Sequence, residues 1–71
     1  MKINSVQDFG TAIKNRRKKL GYTQAFLAEF TGFSVSFISD LERGKNTIEL
    51  GKALALANVL GLDCLLQERG R

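Results

Sequence analysis

Few side chains in this 71-residue sequence could do covalent chemistry. There is no His to serve as an imidazole base or metal ligand, and the single Cys, Cys64, can neither complete a zinc cage nor pair within the chain. The acids Asp40, Glu42, Glu29 and Asp63 form no evident paired site for acid–base work. No enzymatic reaction, metal or cofactor is expected. The sequence supplies positive charge instead. Residues 1–47 hold eight bases (Lys2, Lys14, Arg16, Arg17, Lys18, Lys19, Arg43, Lys45) against four acids (Asp8, Glu29, Asp40, Glu42), whereas residues 48–71 hold three of each. The formal charge of +4 therefore belongs to the N-terminal two-thirds. Cations gathered on one part of a chain suit a polyanionic partner, although a basic run can equally be a solvated face.

Helices must carry those charges. Ser5-Val6-Gln7-Asp8 reads as a helix start, with a serine oxygen for free N–H groups and an acid to complement the dipole. Val6, Phe9, Ile13 and Leu20 then share one face, Lys14 to Lys19 crowd the others, and Gly21 ends a first helix over about residues 5–20. Thr23 is placed to cap a second helix from Gln24 to Phe30, with Leu27 and Phe30 apolar. Ser34 is placed to cap a third, Val35 to Arg43, with Phe37, Ile38 and Leu41 inward. A fourth starts at Thr47 and carries Leu50, Ala53, Leu54, Ala57 and Leu60 on its apolar stripe, closed by Gly61.

The last segment follows a different rule. Leu62, Cys64 and Leu66 alternate with Asp63, Leu65 and Gln67, a strand-like pattern with no second strand in the chain to pair it. A chain this short rarely builds a generous core alone. Both points lead to a second subunit, with Leu62, Cys64, Leu65 and Leu66 as its seam. The longest apolar run, Ala53 to Ala57, is far too short to span a bilayer, and a cytoplasmic binding module is expected.

The most specific pattern lies in residues 23–44. Gln24, Ala28, Gly32, Phe33, Ile38 and Leu41 stand at relative positions 1, 5, 9, 10, 15 and 18. Two helices crossing steeply through a short turn need a small residue at the fifth position, which Ala28 supplies. The turn needs a residue at ease with positive φ, which Gly32 supplies. Phe33, Ile38 and Leu41 then fill the wedge between the helices. Together these spacings specify a helix-turn-helix.

Arg16-Arg17-Lys18-Lys19-Leu20-Gly21-Tyr22-Thr23-Gln24, followed by Leu27-Ala28, Gly32, Ile38-Ser39 and Leu41-Glu42-Arg43-Gly44-Lys45, resembles the phage-repressor-like (XRE-type) helix-turn-helix family over about residues 8–61. Within it, Thr47-Ile48-Glu49-Leu50-Gly51-Lys52 and the Leu60-Gly61-Leu62-Asp63 segment are similar to HipB-like antitoxins. The loop after Gly44 departs from many relatives in lacking a Pro. The resemblance implies an all-α, lambda-repressor-like domain of four to five helices. Residues 5–61 would form its helical core, and residues 62–71 a C-terminal strand and dimerisation tail pairing across a two-fold dimer.

Site residues follow from that resemblance. The family sets its third helix in the DNA major groove with the N-terminal residues at base edges. Ser34, Val35, Ser36 and Ser39 occupy those places here, with Ser34 also a capping residue. The set holds no Arg, Gln or Asn for bidentate base contacts, so modest direct readout is expected, supplemented by DNA shape and paired half-sites. Gln24, Arg43, Lys45 and Asn46 take the phosphate-contacting positions, while Phe37 sits at the contact edge or simply packs. Arg17 and Glu42 correspond to a structural ion pair. The implied partners are double-stranded DNA with a palindromic operator, a second copy of the chain, and a HipA-type serine/threonine kinase toxin that the protein neutralises while repressing its own operon. Such a protein would be nucleoid-associated. Two alternatives stand beside this: a stand-alone phage-like or housekeeping regulator without a toxin, and an interaction module that has lost DNA binding.

Overall fold

The computed structural model describes residues 2–70. Four α-helices follow one another: α1, Val6–Lys19; α2, Gln24–Thr31; α3, Val35–Glu42; and α4, Leu50–Val59. Three begin where a hydroxyl can take a free backbone N–H. Ser5 Oγ accepts from Asp8 N at 3.0 Å, Thr23 Oγ1 from Phe26 N at 3.0 Å, and Ser34 Oγ from Phe37 N at 2.9 Å. The Asp8 carboxylate in turn accepts from Asn4 N, tying down the approach to α1. Helices α1, α3 and α4 end alike. The N–H groups of Gly21 and Tyr22, Gly44 and Lys45, and Gly61 and Leu62 turn back onto carbonyls of the last helical turn. Between α2 and α3, Gly32 takes a φ of 83°, the left-handed conformation this turn requires.

The fourth helix starts later than its sequence pattern indicates. Thr47 lies in a turn closed by Ile48 N donating to Lys45 O, and Ile48 packs onto the core. The chain must pass this residue inward before it can coil, so Glu49 becomes the N-cap, without a side-chain capping bond. The buried stripe of α4 is also rotated. Ala53, Leu56, Ala57 and Leu60 are buried, whereas Leu50 is 64% exposed. Leucines and alanines occur on two adjacent faces of this helix, so periodicity alone did not separate them. The neighbouring helices also differ slightly from expectation: α2 includes Thr31, and Arg43 caps α3 rather than extending it.

One core joins all four helices: Ile13 of α1, Leu27 of α2, Ile38 and Leu41 of α3, and Ala53, Leu56, Ala57 and Leu60 about α4. Phe9, Tyr22, Ala28, Phe33 and Phe37 pack around it. Phe30 does not join them. It lies 69% exposed on the outer face of α2, stacked on Phe26.

One close approach of two elements involves a glycine the helix pattern did not mark. A Cβ at Gly10, in the middle of α1, would lie 2.2 Å from the carbonyl oxygen of Leu41 and 3.0 Å from that of Glu42. Helix α3 therefore rests its last turn directly on the α1 backbone.

Residues 62–70 form neither helix nor strand. A strand exists by virtue of its ladder, and among the described residues nothing lies alongside Leu62 to Gln67 to supply one. Leu62 still packs on the core, but Leu65 and Leu66 are essentially fully exposed and Cys64 is exposed. Beside the tail, Lys2, Ile3 and Asn4 together with Phe9, Leu50 and Leu54 line an open groove of about 1260 Å³. The second apolar stripe of α4 faces this groove.

Candidate nucleic-acid interface

The start of α3 is a small, weakly polar, exposed surface. Ser34, Val35 and Ser36 are exposed, and Ser39 one turn on is half-buried. The Ser34 hydroxyl is committed to its cap, while Val35 presents a 45% exposed side chain. Phe37 points the other way: its ring lies 5.2 Å from that of Phe33, with the Lys52 ammonium 5.9 Å above it. It packs onto the core from this position, and a contact with the edge of a duplex is a matter for the functional reading.

Beyond α3 the chain collects charge. Arg43, Lys45 and Asn46 are exposed beside the same helix. Arg43 Nη2 meets Asp40 Oδ1 at 2.6 Å, and Arg43 Nη1 donates to the Ser39 hydroxyl. Lys45 Nζ lies 3.4 Å from the other Asp40 oxygen. Both cations expected to meet phosphate therefore rest on one carboxylate.

Behind this surface lies a second, buried polar cluster. The Arg17 guanidinium grips Glu42 with two parallel bonds, Nε to Oε2 at 2.7 Å and Nη2 to Oε1 at 2.9 Å. Its remaining nitrogen donates to Tyr22 O at 2.9 Å. The two side chains are 9% and 4% exposed. Gln24 completes the cluster by donating Nε2 to Glu42 Oε1 at 3.0 Å, so its amide turns inward and spends one of its two hydrogens there. Burial alone would raise the Glu42 pKa. The hydrogen bonds from Arg17 and Gln24 and the charges of Arg17 and Lys14 outweigh it, holding the carboxyl below its ordinary range. The Arg17 pKa is raised, chiefly by its bond to Glu42 and against the effect of burial.

Arg16 has a role the basic run concealed. Its Nε donates to the carbonyl of Leu60 at 2.7 Å, fastening α1 to the end of α4. Arg16 and Arg17 stand three and four residues beyond buried Ile13, and that helical spacing is the signal that both face inward. Lys14, Lys18 and Lys19 remain exposed on α1. Among the described residues no group of three or more Cys, Asp or Glu side chains is arranged to hold a metal ion, and no helix is long and apolar enough to cross a membrane.

A short helix offering its N-terminal face beside exposed cations, buttressed by a second helix across a glycine turn, is the architecture of a DNA-binding transcription regulator. The chain belongs to the helix-turn-helix family of XRE type, whose pattern matches residues 13–66. It is 37% identical over 60 residues to y4mF, an uncharacterised HTH-type transcriptional regulator of Sinorhizobium fredii (strain NBRC 101917 / NGR234), covering 84% of this chain and 79% of that one. Among solved structures it is similar to HipB in a complex with an O4 20mer (TM-score 0.86, 28% identity, 96% of each chain). It is equally similar to a chain of a HipA–HipB–O2–O3 complex (TM-score 0.85, 28% identity, 96% of each chain).

Proposed function

We propose that this transcription regulator is a HipB-like antitoxin: a dimeric repressor that binds a palindromic operator in its own promoter and neutralises a HipA-type serine/threonine kinase. The observation that carries the reading is the likeness to HipB across 96% of the chain, in a complex with an O4 20mer and in a HipA–HipB–O2–O3 complex. In this reading residues 1–71 are one domain acting in the cytoplasm on the nucleoid, and the chain itself catalyses nothing.

Val35, Ser36 and Ser39 meet base edges, with Ser34 mainly a cap, while Arg43, Lys45 and Asn46 hold phosphates and Gln24 adds a backbone contact beside the α2 N-terminus. Leu62, Cys64, Leu65 and Leu66 pair with the same segment of a second copy. The exposed leucines and the apolar groove beside them support that pairing, since both are left open in the single chain. Two recognition helices would then stand about one DNA turn, ~34 Å, apart.

The test combines three measurements. Sedimentation at micromolar concentration should give a dimer, and the upstream duplex should be bound with strong salt dependence. Co-expression with the neighbouring reading frame should yield a stable complex with a kinase-fold protein. A monomer that binds DNA poorly overturns the dimeric repressor. Similarity to y4mF, an HTH-type transcriptional regulator, is equally compatible with a second reading, a stand-alone regulator. An operator-binding dimer with no kinase-like neighbour would establish that reading instead.

A further inference from the structure

Asp40 is an odd residue for a DNA-facing helix. It stands four residues after Ser36, on the same side of α3, where a carboxylate would approach the phosphates of any bound duplex. It also holds both local cations: Arg43 at 2.6 Å on one oxygen and Lys45 at 3.4 Å on the other. The Lys45 backbone N–H is bonded to the Asp40 carbonyl as well, which fixes the loop beside it. The same Arg43 that pairs with Asp40 occupies the hydroxyl of Ser39. All of this lies at the surface, with the Arg43 and Lys45 side chains 69% and 57% exposed, so each bond is exchangeable.

We propose that Asp40 is a specificity-determining residue that acts as an internal phosphate mimic. It keeps Arg43 and Lys45 engaged, and Ser39 masked, until a cognate sequence offers replacements. The inference rests on the DNA-binding reading. On random DNA, a phosphate that takes Arg43 or Lys45 merely swaps one anion for another and leaves the carboxylate facing a phosphate, a like-charge cost. On a cognate site the cations pass to phosphates, Ser39 is released to a base edge, and the carboxylate can accept from a cytosine amino group. The exchange then closes with every group paired. Discrimination comes in part from penalising wrong sequences, in a recognition helix that has little with which to reward the right one.

The experiment compares wild type with Asp40→Asn on two probes: a duplex selected by the wild-type chain from a randomised library, and a random-sequence duplex of equal length. Binding is followed across a salt series. For Asp40→Asn, affinity for the random duplex should rise about fivefold, near the upper end for one exposed charge pair. Its log–log salt slope should steepen by about 0.9, one further phosphate contact. Affinity for the selected duplex should stay level or fall, so the ratio between probes drops by fivefold or more. A purely structural role for the ion pairs would shift the melting temperature and leave slope and ratio unchanged, which would overturn the proposal. So would an equal rise on both probes. Wild-type chain with no affinity for either duplex would overturn the DNA-binding reading and this proposal together. Wild-type binding with an unmoved ratio would overturn this proposal alone.

Discussion

Replacing Gly10 with alanine adds one methyl group where α1 lies directly on the last turn of α3. The new Cβ would stand 2.2 Å from the Leu41 carbonyl oxygen, whereas ordinary contact begins near 3.4 Å. The shortfall is about 1.2 Å, and the obstacle is backbone, which cannot rotate aside. Either α1 and α3 separate or one of them bends. Overpacking of this kind costs about 1–3 kcal/mol, and a clash with two successive carbonyls belongs at the upper end. Moving α3 outward would also loosen the Arg17–Glu42 bonds, which span the same pair of helices. Against this, alanine favours helix over glycine by about 1 kcal/mol. The net expectation is a loss of about 2–3 kcal/mol, or about 10–20 °C in melting temperature for a chain of this size. Thermal melting followed by far-UV circular dichroism reads this directly. Gly51→Ala is the control: also in a helix, but with nothing within 4 Å of its added Cβ, it should melt at or slightly above wild type. Gly10→Ala melting at or above wild type would refute the close α1–α3 contact and the geometry built on it.

Four further outcomes follow from the same geometry. Glu42→Ala should cost about 3–5 kcal/mol by leaving Arg17 buried without its partner, read by urea unfolding. Because folding lowers the Glu42 pKa, its contribution to stability is present above the ordinary carboxylate range and is lost as pH falls through the folded value. Wild-type stability should therefore drop in acid, and Glu42→Gln, though less stable at neutral pH, should show a flatter acid limb. Lys45→Ala should weaken binding to the selected duplex and reduce its salt slope by about 0.9, with less effect on the random duplex, where Asp40 keeps Lys45 engaged. Ser36→Ala should weaken the selected duplex by about 1 kcal/mol and leave its slope unchanged; titrations across the salt series separate the two. Replacing Leu65 and Leu66 together with Ser should abolish dimerisation in sedimentation and make the melting temperature independent of protein concentration, since neither side chain touches the helical core and only the linkage between folding and association is lost.

Much of this architecture is written in local signals. Ser5, Thr23 and Ser34 announce their helices because capping depends on a side chain and N–H groups two or three residues away. Gly32, with its left-handed turn, and the buried trio Leu27, Ile38 and Leu41 follow from spacing alone. The rest depends on what lies across the fold. Arg16 and the Leu60 carbonyl are 44 residues apart, and Gln24 and Glu42 are 18 apart, so no local rule joins them. The register of α4 was ambiguous because its apolar residues cover two faces, one turned to the core and the other to the groove beside the tail. Gly10 left a readable trace, since a glycine inside a helix carries a cost that usually has a packing reason. Its partner, a pair of backbone carbonyls, leaves no mark in any side-chain pattern. The tail is a different case: its alternation describes a strand that a single chain cannot complete.

Helix α3 packs on the core through Phe37, Ile38 and Leu41, and a clamp of backbone contact and polar bonds fixes its last turn. Its last turn lies on the Gly10 backbone and its final residue, Glu42, is fastened to Arg17 and Gln24, while Ser34, Val35 and Ser36 project at the other end. A short helix moves as a rigid body, so a slight tilt at the Glu42 clamp re-aims the first turn while Phe37 and Ile38 stay on the core. Variants with altered DNA preference should therefore arise at residue 10 and around the Arg17 cluster as well as among the exposed serines. Selecting them at the clamp would adjust how the helix is aimed without changing any group that faces the duplex.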